Sequence, residues 1–138
     1  MNTLTVQSEL RELGKVREFL KENLVGLDLT EEEIYKVELS LVEMCSNIMR
    51  YAYPGDSGEI VVSAWHEEGR FYLEVRDSGV PFDPRHVKRP TLEEMISREQ
   101  MGGLGIFLAR KLMDGFLYRR EDDQNVLVMY KKAEAKKS

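Results

Sequence analysis

The chain is poor in cysteine, in proline outside one stretch, in positive charge and in long apolar runs, and each shortage excludes something. A single cysteine, Cys45, in 138 residues rules out an intrachain disulfide and a cysteine-built metal cluster. Lys and Arg number 20 against 25 Asp and Glu, for a formal net charge of -5 and a pI of about 5.2. That balance argues against a dedicated nucleic-acid binder, which is usually basic, and leaves a basic protein partner open. The opening residues Met1-Asn2-Thr3-Leu4-Thr5-Val6-Gln7 have no basic n-region and no long apolar run, so no signal peptide and no membrane span is expected. The expected home is the cytoplasm. What remains is ordinary for a globular protein: 42% hydrophobic and 33% charged residues. The length fits one domain with its own core, here expected over about residues 4–132, with 133–138 as a frayed basic tail.

Hydrophobic periodicity gives the organisation. Thr3 to Val6 reads as a short strand. Ser8 to Leu24 reads as a helix with Ser8 as N-cap, because Leu10, Leu13, Val16, Phe19 and Leu20 recur at helical spacing. Gly26-Leu27-Asp28 breaks it. Thr30-Glu31-Glu32-Glu33 has the capping-box pattern, with Glu33 at N3, and opens a long helix that Pro54-Gly55-Asp56 ends near Tyr51. Glu59 to Trp65 and Phe71 to Asp77 read as a hairpin turned by Glu67-Glu68-Gly69-Arg70. In its second strand Phe71, Leu73, Val75 and Asp77 share one face. Residues 78–101 hold three of the four prolines and many charges. They read as a long loop with a short helix at Leu92 to Arg98, the length expected of a lid or binding loop. Gly103 to Met113 reads as a helix, and Phe116 to Arg120 with Val126 to Tyr130 as a second hairpin. Helices laid on a mixed or antiparallel sheet make a two-layer α/β sandwich.

Three segments carry chemistry. On the long helix Ile34, Val37, Leu41, Cys45 and Ile48 form an apolar stripe. Glu43, Asn47 and Arg50 fall within about 60° of one another on the opposite side, at roughly 100° per residue. Spacing alone also permits a plain solvated face. Chemically, an Asn amide oxygen can ligate Mg²⁺, and a Glu one turn away can take a proton from a hydroxyl. Cys45 lies in the apolar stripe and reads as a small core residue. Asp77 ends an inward row, and a carboxylate facing a core needs a partner, such as an exocyclic amine. Gly79 then allows backbone or ligand to approach, although Asp77-Ser78-Gly79 also fits a plain turn. Gly102-Gly103-Leu104-Gly105 precedes an apolar helix, and free N–H groups at such a start attract phosphate. No Lys-Ser/Thr follows the glycines, which excludes a P-loop, and no strand directly precedes them, which excludes a Rossmann turn.

In this order and spacing the segments resemble the N, G1 and G2 boxes of the gyrase, chaperone, histidine-kinase and MutL ATPase superfamily. The likeness is closest to its small serine-kinase branch, the anti-sigma factors of the RsbW and SpoIIAB type, and covers roughly Leu4 to Lys132. Glu43-x-x-x-Asn47-x-x-x-Tyr51-Ala52-Tyr53 resembles the N box, Asp77-Ser78-Gly79-Val80-Pro81-Phe82-Asp83 the G1 box, and Gly102-Gly103-Leu104-Gly105-Ile106 with Leu112-Met113-Asp114 the G2 region. The resemblance implies a Bergerat-type sandwich holding ATP and Mg²⁺. It implies Asn47 on the metal, Asp77 on the adenine amine with Gly79 nearby, and the 102–105 turn, Leu104 included, along the phosphates. Glu43 becomes the base that activates a serine of a small STAS-type antagonist protein. The partners implied are that antagonist and a sigma factor, and the assembly implied is a homodimer.

Two positions depart from the family pattern. Many relatives carry a Thr on the last strand that helps bind adenine, whereas this chain reads Asn125-Val126-Leu127-Val128, so that contact is missing or replaced. Relatives also place an Arg just before the G2 glycines, where Gln100-Met101 stands here. The nearest arginine is Arg98, which, with Arg85 and Arg89, is a candidate for the terminal phosphate within a lid over residues 84–101. The leading function is an ATP-dependent protein serine kinase that sequesters a sigma factor. An RsbT-type switch kinase and a nucleotide-gated binding module without kinase activity stand beside it. A two-component histidine kinase fits less well, because His66 and His86 fall in a hairpin and in the loop.

Overall fold

The computed structural model describes residues 1–81 and 109–137. Strand β1 (Asn2–Gln7) leads into a 3-10 turn (Leu10–Glu12) and helix α1 (Leu13–Leu24). Strand β2 (Leu27–Asp28) and the long helix α2 (Glu31–Tyr51) follow, then strands β3 (Glu59–Glu67) and β4 (Arg70–Asp77). Residues 109–112 are helical. The chain closes with β5 (Gly115–Glu121), β6 (Gln124–Lys132) and β7 (Glu134–Ala135). Five strands form one antiparallel sheet in the order β1-β3-β4-β6-β5, and β2 pairs with β7 in a separate two-stranded ribbon.

Local chemistry explains the elements. Thr30 Oγ1 accepts from the Glu33 N–H at 3.1 Å, while Glu33 Oε1 accepts from the Thr30 N–H at 3.0 Å. The predicted capping box therefore starts α2, and hydrogen bonds from the Thr30 N–H and the Thr30 side chain hold the Glu33 carboxyl below its ordinary value. The two hairpins turn on pairs with positive φ, Glu68-Gly69 (48° and 74°) and Asp122-Asp123 (50° and 60°). Two-residue turns of that hand match the twist of the flanking strands. α1 and α2 cover one face of the sheet. Val16 and Leu20 of α1, Val37 and Leu41 of α2, and Val62, Phe71, Leu73 and Met129 of the sheet are almost fully buried in one cluster. On the other face Trp65 stacks on Tyr72, Tyr72 leans on Tyr130, and Arg70 lies 4.4 Å from the Tyr130 ring centre.

Two expectations are corrected. Ser8 does not cap a helix: among the described residues its buried Oγ has no hydrogen-bond partner, and the chain makes a 3-10 turn before α1 begins at Leu13. The backbone there is claimed by the strand end, where the Ser8 N–H donates to Gly58 O at 2.7 Å. Residues 133–136 are not frayed. Ala133 is buried, β7 pairs with β2, and the Lys136 N–H donates to Gly26 O at 2.8 Å. The basic composition hid an alternative use for those backbone groups. Among the described residues no helix is long and apolar enough to cross a membrane.

Candidate functional site

Between α2 and the sheet lies a cavity of about 180 Å³. Met44, Asn47 and Ile48 line it from α2, Tyr51 and Ala52 from the helix end, Val75 and Asp77 from β4, and Tyr118, Asn125 and Leu127 from β5 and β6. Most of the wall is apolar, with a few polar groups converging on it, the usual make-up of a small-molecule site.

The polar end is built by strand register. Asp77 pairs with Asn125 across β4 and β6, so both side chains emerge on the helix-covered face. Asn125 Nδ2 donates to Asp77 Oδ1 at 3.0 Å and to Val80 O at 2.8 Å, and the Tyr118 hydroxyl donates to Asn125 Oδ1 at 2.7 Å. The Gly79 N–H also donates to Asp77 Oδ1, at 2.9 Å. Asp77 is only 3% exposed. Burial pushes its carboxyl up, against the downward pull of the Asn125 and Gly79 hydrogen bonds and the Arg120 charge. Both donors meet the same oxygen, and among the described residues no donor reaches Oδ2. Arg120 donates to Gly79 O at 3.0 Å and so secures the turn after β4.

That turn is also locked to the end of α2. A Cβ on Gly79 would lie 2.3 Å from Ala52 O and 2.5 Å from Ala52 Cβ, so the close approach allowed here is backbone on backbone. The Val80 N–H donates to Ala52 O at 2.8 Å. The Tyr53 hydroxyl accepts from the Ser78 N–H and donates to Glu59 O, each at 2.8 Å. Ala52 and Tyr53, just past the end of α2, thus fix the turn that follows Asp77.

Asn47 is buried at 7% exposure, and among the described residues its Oδ1 has no hydrogen-bond partner. It is not on a solvated face: the buried arc of α2 runs through Met44, Cys45, Ser46 and Asn47, wider than the stripe read from spacing. An orphaned buried amide oxygen costs about 1–3 kcal/mol, so it marks a place for a water, ion or ligand. Glu43 is half-buried, which raises its carboxyl, while the charge of the exposed Arg50 pulls it back. The Cys45 thiol is pushed up to about 12 by complete burial and has no nucleophilic character. Arg98, Gly102, Gly103, Leu104 and Gly105 lie outside the described residues, as do the rest of the expected lid and its short helix.

Sequence reasoning missed Asn125 as a partner of Asp77, together with Tyr118, Arg120 and the bracing role of Tyr53. The available signal was a lone amide beside the apolar run Val126-Leu127-Val128, at the place where the family Thr is absent. At that place the structure has Asn125 hydrogen-bonded to Asp77.

The model of the histidine kinase-like ATPase domain family matches residues 6–131. The chain belongs to that family. Curated relatives include the serine-protein kinase RsbW of Bacillus thuringiensis (strain Al Hakam) and that of Bacillus cereus (strain 03BB102). Each is 30% identical over 101 residues, covering 70% of this chain and 63% of the relative. The match thus spans less than two thirds of those relatives. Among solved structures, a chain of the SiaB-SiaC complex from Pseudomonas aeruginosa aligns with a TM-score of 0.55 at 14% identity, over 95% of this chain and 89% of that one. The nucleotide-free catalytic domain of the histidine kinase ThkA aligns at 0.51 and 14% identity, over 99% of this chain and 100% of that one. These likenesses show the histidine-kinase-like α/β sandwich fold.

Proposed function

We propose that the cavity binds Mg-ATP and that the protein is a serine kinase of the anti-sigma type, phosphorylating a small STAS-type antagonist and sequestering a sigma factor. One observation carries the nucleotide reading. Asp77, a buried carboxylate held through one oxygen, lines the same largely apolar cavity as the orphaned Asn47 oxygen. Asp77 Oδ2 would accept from the adenine amine, the apolar wall would take the ring, and Asn47 Oδ1 would give one oxygen to Mg²⁺. That donor set suits an ion that keeps several waters and needs few protein ligands. The glycines 102, 103 and 105, Leu104 and Arg98 join the phosphate side of the proposal from the sequence alone, and Arg50 stays a candidate by its place one turn past Asn47. ATP supplies the transferable phosphoryl group and Mg²⁺ neutralises its charge.

Glu43 is the proposed base. Burial raises its carboxyl toward the range where a base works best at neutral pH. The support for serine as acceptor is the likeness to proteins named serine-protein kinase RsbW, and the antagonist and sigma factor rest on the sequence resemblance. A cytoplasmic location and a homodimer belong to the same reading.

Calorimetry with Mg-ATP tests the first step. Asp77→Asn should weaken binding about tenfold to over a hundredfold, since a hydrogen bond to a buried charged group is worth about 1.5–3 kcal/mol. Absence of binding by the wild-type protein sinks the reading. Glu43→Gln should bind ATP normally yet slow phosphoryl transfer about 10²–10⁴-fold. The assay is transfer of labelled γ-phosphate to a partner captured from native cytosol with ATP present. Transfer at the wild-type rate would place the base elsewhere, and a large scaffold as the captured partner would favour the switch-kinase alternative.

A further inference from the structure

We propose that Tyr118, acting through Asn125, holds the Asp77 carboxylate in one orientation toward the base and so sets the preference for adenine over guanine nucleotides. The inference rests on the nucleotide reading above and adds a positioning residue to it.

The orientation of the Asn125 amide is fixed by its surroundings. Nδ2 faces Val80 O at 2.8 Å and Asp77 Oδ1 at 3.0 Å. A backbone carbonyl and a carboxylate oxygen only accept, so a flipped amide would set its oxygen against both. The amide oxygen must therefore face away from them, toward the Tyr118 hydroxyl 2.7 Å away. An amide oxygen cannot donate, so the hydroxyl gives its proton to Asn125. The direction of every bond in this row follows: Tyr118 to Asn125, Asn125 to Asp77. With the Gly79 N–H also on Oδ1 at 2.9 Å, two donors hold that one oxygen of the carboxylate.

A pinned carboxylate discriminates. Adenine offers its 6-amine, a donor, where guanine offers O6, an acceptor. An ionised carboxylate only accepts, so Asp77 Oδ2 gains a bond with the first and is set against the second. Loss of the Tyr118 hydroxyl removes one of the hydrogen bonds that hold the Asn125 amide, and the loosened amide gives the Asp77 carboxylate more freedom to turn. Turning weakens the adenine bond and relieves the guanine repulsion together, so the ratio of affinities changes more than either affinity alone.

The experiment is calorimetry of the 138-residue protein with magnesium and non-hydrolysable analogues of ATP and GTP, alongside Tyr118→Phe. The ring is retained, and the ATP-to-GTP affinity ratio should narrow by about tenfold, the worth of one hydrogen bond near 1.4 kcal/mol. Equal loss for both nucleotides, or an unchanged ratio, overturns the proposal, because a merely structural role moves both alike. Asn125→Leu is the second variant. It removes the relay without stranding a buried amide oxygen, so it tests the idea even if Tyr118→Phe unfolds. Its ratio should narrow at least as far, and adding Tyr118→Phe to it should then change nothing. A further tenfold change in that double variant overturns transmission through Asn125. If the wild-type protein binds neither analogue, the nucleotide reading fails and this inference with it. Binding of both with no preference refutes the inference alone.

Discussion

Asp77 and Glu43 are carboxyls that burial pushes above their ordinary values, and this reverses their usual contribution to acid stability. A carboxyl with a raised folded-state value binds more protons folded than unfolded between the two values. Its contribution is most favourable at low pH and is lost as pH rises from the ordinary carboxylate value through the raised one. The stability advantage of wild type over Asp77→Asn should therefore shrink with rising pH across that window. Urea unfolding of the two proteins at a series of pH values measures it. Arg120 and Tyr53, the charged and titratable groups whose fields reach Asp77, are common to both. A constant difference would mean that Asp77 is not held up by burial. Adenine affinity should move the other way, falling as pH drops through the raised value, because the amine needs an ionised acceptor. The aspartate and the helix residues were legible as candidates in the sequence, since a carboxylate at the end of an inward row is costly unless partnered. Asn125 was not, because its value comes from the strand opposite.

At the scale of elements, α2 is the part most completely written in sequence. Its start is a local hydrogen-bond pair within four residues, and no distant contact is needed to form it. Thr30→Ala should cost about 1 kcal/mol, read as a lower urea midpoint with an unchanged slope. The helix end is different. Ala52 and Tyr53 matter through what lies against them, the turn after β4. A methyl group at Gly79 would meet the Ala52 carbonyl, which is backbone and cannot move aside cheaply. Gly79→Ala should therefore destabilise by about 1–3 kcal/mol, the typical penalty of overpacking. It should also weaken nucleotide binding by shifting Asp77. Stability equal to wild type would show that the junction has slack. The hairpins were readable from alternation and turn residues, although every strand of the main sheet extends beyond the stretch that alternation alone marks.

For the whole molecule, the short β2–β7 ribbon closes the chain on itself. β7 reaches back to the loop between α1 and α2, the His66 ring meets Ala133 O at 2.6 Å, and the Ala133 N–H donates to Gly69 O at 2.9 Å. Removing residues 133–138 uncovers Leu27 and frees these groups, so the melting temperature should fall and amide exchange at Leu27 and Asp28 should rise. Exchange at those positions unchanged by the deletion would show the ribbon to be incidental. The sequence by itself determined the class of fold, the α2 cap, the inward row ending in Asp77 and the family resemblance, because each depends on periodicity or on residues a few positions apart. Only the tertiary structure decided that Asn47 is buried with an oxygen orphaned among the described residues, that Asn125 stands beside Asp77, that Tyr118 donates to Asn125, and that residues 134–135 form a strand. Those facts depend on which strand lies beside which and in what register. Asp77 and Asn125 are 48 residues apart in the chain and adjacent only across β4 and β6.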